Sequence, residues 1–183
     1  MFFRFLKKKI DEFWASKFGP IPPEFHSMEF DGPFRHCLDC DKFLTFSQYL
    51  IEKIYTNGEV IYEYALCMDC AGKLREDLSA ESKKAIKRYL RKHRVVKQTI
   101  EACGCCGLPR EELPSYQIMG QFSGEEMLSW NLPLLICESC VEDLAENLSK
   151  QTRDRLDGFL DEHFPGPPEM DVPIPTRTRP VLI

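Results

Sequence analysis

Eight of the nine cysteines in this 183-residue chain form four Cys-x-x-Cys pairs: Cys37/Cys40, Cys67/Cys70, Cys103/Cys106 and Cys137/Cys140. Two thiols three positions apart on a tight turn can both reach one tetrahedral ion, and a second pair brought alongside closes a shell of four thiolates. The pairs fall into two couples, with 26 residues between the members of the first and 30 between those of the second. This pattern predicts two structural Zn²⁺ ions per chain. Disulfides, redox pairs and rubredoxin-like iron are the rivals. Iron of that kind calls for a second turn with glycine after its last cysteine, whereas Ala71 and Val141 follow the last cysteines here and lead into helical patterns. A closed four-thiolate shell keeps no open position for water, so metal catalysis is not expected.

The residues around these pairs have a sharp and a plain reading. Cys105, between two ligands, can replace Cys103 or Cys106, react with oxidants, or sit on the turn as a spectator, the expected state. His36 precedes Cys37 and is a substitute ligand only if the four-cysteine set is incomplete. His93 and His163 fall at equivalent positions near predicted helix C-termini, where an imidazolium suits the helix dipole and an interhelical contact is expected. A paired catalytic site would need a nucleophile or carboxylates beside them.

The elements that must position the cysteines repeat along the chain. At an offset of 70 residues, Leu74 meets Leu144, Leu78 meets Leu148, Ser79 meets Ser149, Ile86 meets Leu156, Tyr89 meets Phe159 and His93 meets His163. The leading pairs match at an offset of 66. Residues 31–100 and 101–165 therefore read as two copies of one unit. In the first, Tyr49–Tyr55 and Val60–Leu66 flank Asn57-Gly58, a strong hairpin signal. In the second, Tyr116–Phe122 and Met127–Ile136 flank Ser123-Gly124, with Pro133 weakening the later strand or confining it to an edge. Helices are predicted over Cys67–Leu78 and Cys137–Leu148, whose N-termini favour thiolates. Ser79 and Ser149 are N-caps for a second helix in each copy. Its apolar face is Ile86, Tyr89 and Leu90 in one copy and Leu156, Phe159 and Leu160 in the other.

A turn with two ligands, a β-hairpin, and a helix whose first turn carries two more resembles the treble-clef zinc-finger group. The resemblance covers Cys37–Leu78 and Cys103–Leu148 and is one of fold group, which serves many functions. The expected fold is α+β: two tandem treble-clef-like zinc units related by duplication, packed as one body, after an N-terminal amphipathic helix. Residues 1–30 read as that helix and a Pro-rich connector. Its pattern Ile10-x-x-Phe13-Trp14…Phe18 echoes Leu156-x-x-Phe159-Leu160…Phe164, each followed by Pro-Pro-Glu. The Pro-rich residues 166–183 read as a disordered tail. Each copy has few apolar residues for a core of its own, so metal is expected to supply much of the folding free energy.

Composition narrows the function. A 43% hydrophobic and 29% charged chain is typical of a soluble globular protein, and no apolar run approaches the roughly 20 residues that span a bilayer. The start has neither the order nor the length of a secretory signal. A cytoplasmic setting, with thiols reduced and available to metal, is expected. Phe2, Phe3, Phe5 and Leu6 beside Lys7–Lys9 hint at membrane contact, but Asp11 and Glu12 dilute it and core docking is the expected fate. The net charge of −5 argues against a nucleic-acid-binding polycation. One copy is nonetheless basic: Lys83, Lys84, Lys87, Arg88, Arg91, Lys92, Arg94 and Lys97 face four acids and two bases in the other. That face either binds phosphate backbones, docks on an acidic protein such as a neighbouring copy of this chain, or is merely solvated. The expected function is a non-catalytic, zinc-stabilised module for protein–protein interaction, with nucleic-acid binding through residues 83–97 as the alternative. An enzyme ranks third, since no phosphate loop, His-Glu-x-x-His motif or nucleophile elbow is present.

Overall fold

A computed structural model describes residues 18–93, 100–128 and 134–164. The expected N-terminal helix and Pro-rich tail, together with Pro133, Arg94 and Lys97, lie outside the described residues. The first long hairpin is β2 (Gln48–Thr56) and β3 (Glu59–Cys67), joined by Asn57 and Gly58. Both turn residues take positive φ, 52° and 81°, the conformation a two-residue hairpin loop requires. The ladder is not regular: Ile54 faces Tyr62 while Tyr55 faces Val60, so Ile61 is an extra residue in a bulge.

The second hairpin departs from the expected single strand Met127–Ile136. After β4 (Ser115–Ser123) come two short strands, β5 (Glu126–Leu128) and β6 (Leu134–Cys137), both on the same edge of β4. From Met119 to Gln121 β4 advances two residues, while its partners run from Leu134 back to Leu128. The register between these two pairings therefore shifts by four residues. In the first hairpin it shifts by one, at Ile61. These shifts differ by three of the four residues by which the second couple's spacing is longer.

The two hairpins form one sheet. β2 and β4 pair antiparallel over nine residues, from Gln48↔Ser123 to Thr56↔Ser115, centred on Glu52↔Met119. The register is symmetric about that centre, so each strand meets the other as its own counterpart. A short β1 (Phe18–Pro20) closes the far edge on β5. Phe18 thus lies in a strand and not on the predicted N-terminal helix. Nor is the segment after it a bare connector: a 3₁₀ turn, Pro23–Phe25, buries Phe25 completely against Phe122, ring centres 5.1 Å apart. Phe122 in turn stacks on Tyr49 at 5.6 Å.

Gly120 explains how the rings fit so closely. A Cβ there would stand 2.7 Å from the Phe122 ring and 3.2 Å from that of Phe25. Both rings are fully buried and cannot retreat. Gly120→Ala is expected to destabilise the fold by about 1–3 kcal/mol through overpacking, read as a lower midpoint in urea unfolding with an unchanged slope.

Among the described residues, four helices cover the other face: α1 (Met68–Glu76), α2 (Ala80–Lys92), α3 (Glu138–Glu146) and α4 (Lys150–His163). Tyr64 packs edge-on to Phe159 of α4 at 5.7 Å. Ser79 and Ser149 cap α2 and α4, accepting from the amides of Ser82 and Thr152. The two caps also meet. Their hydroxyls are 2.9 Å apart, the Ser79 amide donates to Thr152 Oγ1 at 3.0 Å, and the Ser149 amide donates to Ser82 Oγ at 2.9 Å. Ser82 and Thr152 are fully buried, so this reciprocal exchange satisfies polar groups that water cannot reach.

Candidate metal centres

Each centre is built from a knuckle turn and a helix start. In the first, the Cys37 amide donates to Lys42 O and the Asp41 amide to Cys37 O, both at 2.9 Å. In the second, the Cys103 amide donates to Leu108 O and the Gly107 amide to Cys103 O, both at 2.8 Å. The residue after each second cysteine takes the left-handed conformation: Asp41 at φ 58° and Gly107 at φ 79°. Glycine adopts it freely, and aspartate is among the few side chains that tolerate it. The Leu38 amide then donates to Ala65 O and the Gly104 amide to Leu135 O, clamping each knuckle to the strand that feeds its helix. Cys67 and Cys137 are the N-caps of α1 and α3, and Cys70 and Cys140 lie in their first turns.

These turns bring all eight predicted ligands into two groups of four. Within Cys37, Cys40, Cys67 and Cys70, and within Cys103, Cys106, Cys137 and Cys140, the sulfurs lie within 4.8 Å of one another. Cys40 and Cys67 sulfurs are 3.8 Å apart, and those of Cys106 and Cys137 are 3.7 Å apart. A disulfide holds its sulfurs at about 2.05 Å, so these are not bonded pairs. Four sulfurs about 2.3 Å from a tetrahedral ion have edges of about 3.8 Å. The donor sets therefore fit a metal ion at each centre. In each group three cysteines are buried and one, Cys40 or Cys106, is exposed.

Backbone amides point at the sulfurs as they do at thiolates. Cys37 Sγ accepts from the Cys67 amide at 3.3 Å, and Cys103 Sγ accepts from the Cys137 and Cys105 amides, each at 3.4 Å. The thiols do not ionise independently at such spacing. Hydrogen bonding from Cys105 pulls Cys103 far below the usual thiol range, and the bond to Cys103 drives Cys140 far above it. Burial raises Cys70 and Cys137. A divalent cation is what allows four such sulfurs to be thiolates together.

Cys105 lies outside the second group of four sulfurs. It is buried against the second centre, and its hydrogen bond to Cys103 pushes its thiol up to about 12. His36 turns away from the first centre, with Nδ1 2.8 Å from Asp41 Oδ1. The two distal histidines form no pair. His93 stacks on Tyr89 of its own helix at 4.4 Å, and His163 packs on Phe159 of its own at 4.7 Å. In place of the expected interhelical contact each ring packs on its own helix, and His163 also reaches Asp39 of the first knuckle.

The helices also cross between halves, which the sequence did not foretell. Tyr89 of α2 donates to the carbonyl of Cys140, in the second centre, at 3.0 Å. In return α4 covers the first centre. Phe159 and Arg155 line a cleft of about 280 Å³ with Cys70, Arg155 Nε lies 2.9 Å from Asp77 Oδ2, and His163 Nε2 lies 3.6 Å from Asp39. A second groove, about 530 Å³, runs past Cys37 and is lined by Phe30, Phe34, Arg35 and His36.

One buried charge pair and one buried hydrogen-bonded pair near the centre of the sheet carry no signal in the cysteine pattern. Lys53 and Glu63 face each other across β2 and β3, with Nζ 2.9 Å from Oε2. Lys53 also donates to His26 O at 2.6 Å, while Glu63 Oε1 accepts from Ser27 Oγ and the Met28 amide. On the other sheet face, Tyr64 donates to buried Glu52. Desolvation and the Glu52 charge hold the Tyr64 hydroxyl well above the usual phenol range.

Among the described residues no helix is long and apolar enough to cross a membrane. No protein-family model, curated protein or solved structure matches the chain.

Proposed function

We propose that this chain is a non-catalytic binding module in which two treble-clef units, related by internal duplication, each hold a structural zinc ion and dock a partner protein. The observation that carries the metal reading is the repeated closed shell. Knuckle, strand clamp and helix start recur at both centres with the same hydrogen bonds and the same burial of three thiols in four. Four protein ligands per ion hold the metal for structure and keep no position for substrate. Helix starts directly after Cys67 and Cys137 favour zinc over a rubredoxin-like iron site.

Exposed apolar side chains support protein binding. Among the described residues, Met28, Phe30, Phe43, Phe46 and Ile61 are exposed in the first half, Phe46 at 96%, against Leu108 alone in the second. Phe30 carries Arg35 over its ring at 4.8 Å, and Phe43 packs on His36 at 4.3 Å, so these aromatics frame the larger groove. Aromatic and arginine side chains together are what protein interfaces use as anchors. The test is affinity capture from native host lysate with the zinc-loaded chain and with a Phe30→Ser/Phe43→Ser/Phe46→Ser variant. A partner held by the first and lost by the second is expected. Identical captures from both would contradict the reading.

A further inference from the structure

The largest net charge on any described element lies on α2. At about 100° per residue, Lys83, Lys84, Lys87, Arg88, Arg91 and Lys92 occupy one continuous half of the helix. Ser82, Ala85, Ile86, Tyr89 and Leu90 occupy the other and are buried or half-buried, whereas all six cations are exposed. Glu81, in the first turn, is the helix's acidic residue and falls on the same half as the cations. Among the described residues none of the six has a carboxylate within 4.0 Å. Lys83 caps Glu76 O at 2.9 Å and Arg91 Nε reaches Lys87 O at 3.3 Å, which are backbone contacts that leave their charge uncompensated. The counterpart helix differs: on α4, Lys150 pairs with Asp154 and Arg155 with Asp77. The chain as a whole is acidic, at −5, so the α2 face is a local feature and not a consequence of composition.

We infer that this face of α2 docks on the phosphate backbone of a nucleic acid. An acidic protein is the other polyanion to consider, but protein interfaces need an apolar core and are depleted of lysine. The α2 face offers no large exposed apolar side chain, and those the described residues do expose lie elsewhere. A phosphate backbone needs no such anchor, because its affinity comes from cations displacing condensed counterions. The six cations span about 14 Å of helix, enough to neutralise about three successive phosphates. Contacts of this kind position a protein without reading bases, so sequence-independent binding is expected. The inference stands apart from the protein-docking reading, which uses Phe30, Phe43 and Phe46 and no side chain of α2.

The test is fluorescence anisotropy with the zinc-loaded full chain, a labelled 20-base-pair DNA duplex and a labelled 20-nucleotide RNA. Binding to either at 50 mM salt is expected. With about three phosphates neutralised, affinity should fall roughly 40-fold for the duplex and roughly 20-fold for a single strand by 200 mM. Lys87→Glu/Arg88→Glu/Arg91→Glu should abolish binding, and the corresponding triple glutamine variant should weaken it while keeping the wild-type zinc content and unfolding curve. No binding at 50 mM, a glutamate variant that binds normally, or poly-glutamate competing as well as nucleic acid at equal charge would each overturn the inference.

Discussion

Replacing Cys70 with serine is expected to unfold the whole chain and not only its first half. Structural zinc contributes an apparent ~10–16 kcal/mol in small domains, comparable to or larger than the ~5–15 kcal/mol that separates a native domain from its unfolded state. Two independent units would leave the second centre folded with one zinc. The structure joins them in three ways. β2 and β4 share nine ladder positions, the caps at Ser79 and Ser149 exchange hydrogen bonds, and each half's second helix covers the other half's centre. Loss of the first metal removes the support under α4, and α4 belongs to the half that holds the second. Circular dichroism of Cys70→Ser should therefore show collapse of most helix and strand signal, with zinc content falling well below one per chain. A stable half-folded species carrying one zinc would show that the crossed contacts do not couple the halves.

Removing the Glu63 carboxylate should be nearly as damaging. The Lys53 side chain is 4% exposed, and Glu63 supplies its counter-charge at 2.9 Å. Glu63→Ala leaves that ammonium buried with only His26 O as partner, and also takes the acceptor from Ser27 and from the Met28 amide. Breaking a buried pair from one side costs about 3–5 kcal/mol. The double variant Lys53→Met/Glu63→Met removes both charges and should recover much of that loss. If Glu63→Ala unfolds at the wild-type urea midpoint, the pair does not hold the segment from His26 to Met28 on the sheet.

The cysteine spacing and the Asn57-Gly58 turn were legible because each has a local cause: ligands must converge, and the turn needs positive φ. Helix starts at the second pairs and caps at Ser79 and Ser149 were local for the same reason. What stayed hidden depended on residues remote in sequence. The Lys53–Glu63 pairing follows only once Ile61 is bulged out. Without the bulge, the Asn-Gly turn would set Glu52 opposite Glu63, a like-charge pair. The register shift between β5 and β6 needed the ladder of β4 to show it. The crossing of α2 and α4 was hidden because the matched apolar faces, Ile86/Tyr89/Leu90 and Leu156/Phe159/Leu160, state that something is covered but not what. Tyr89 and Phe159 carry the difference: only tyrosine has a hydroxyl to give to a carbonyl of the opposite centre. Phe25 was passed over because one aromatic among prolines carries no periodicity.

Metal analysis of chain purified without chelator tests the central claim most directly. Two zinc ions per chain are expected. Cobalt substitution should give the intense visible bands of tetrahedral thiolate coordination, saturating at two equivalents. One zinc per chain, bound iron, or cobalt spectra of higher coordination would contradict two closed four-thiolate centres.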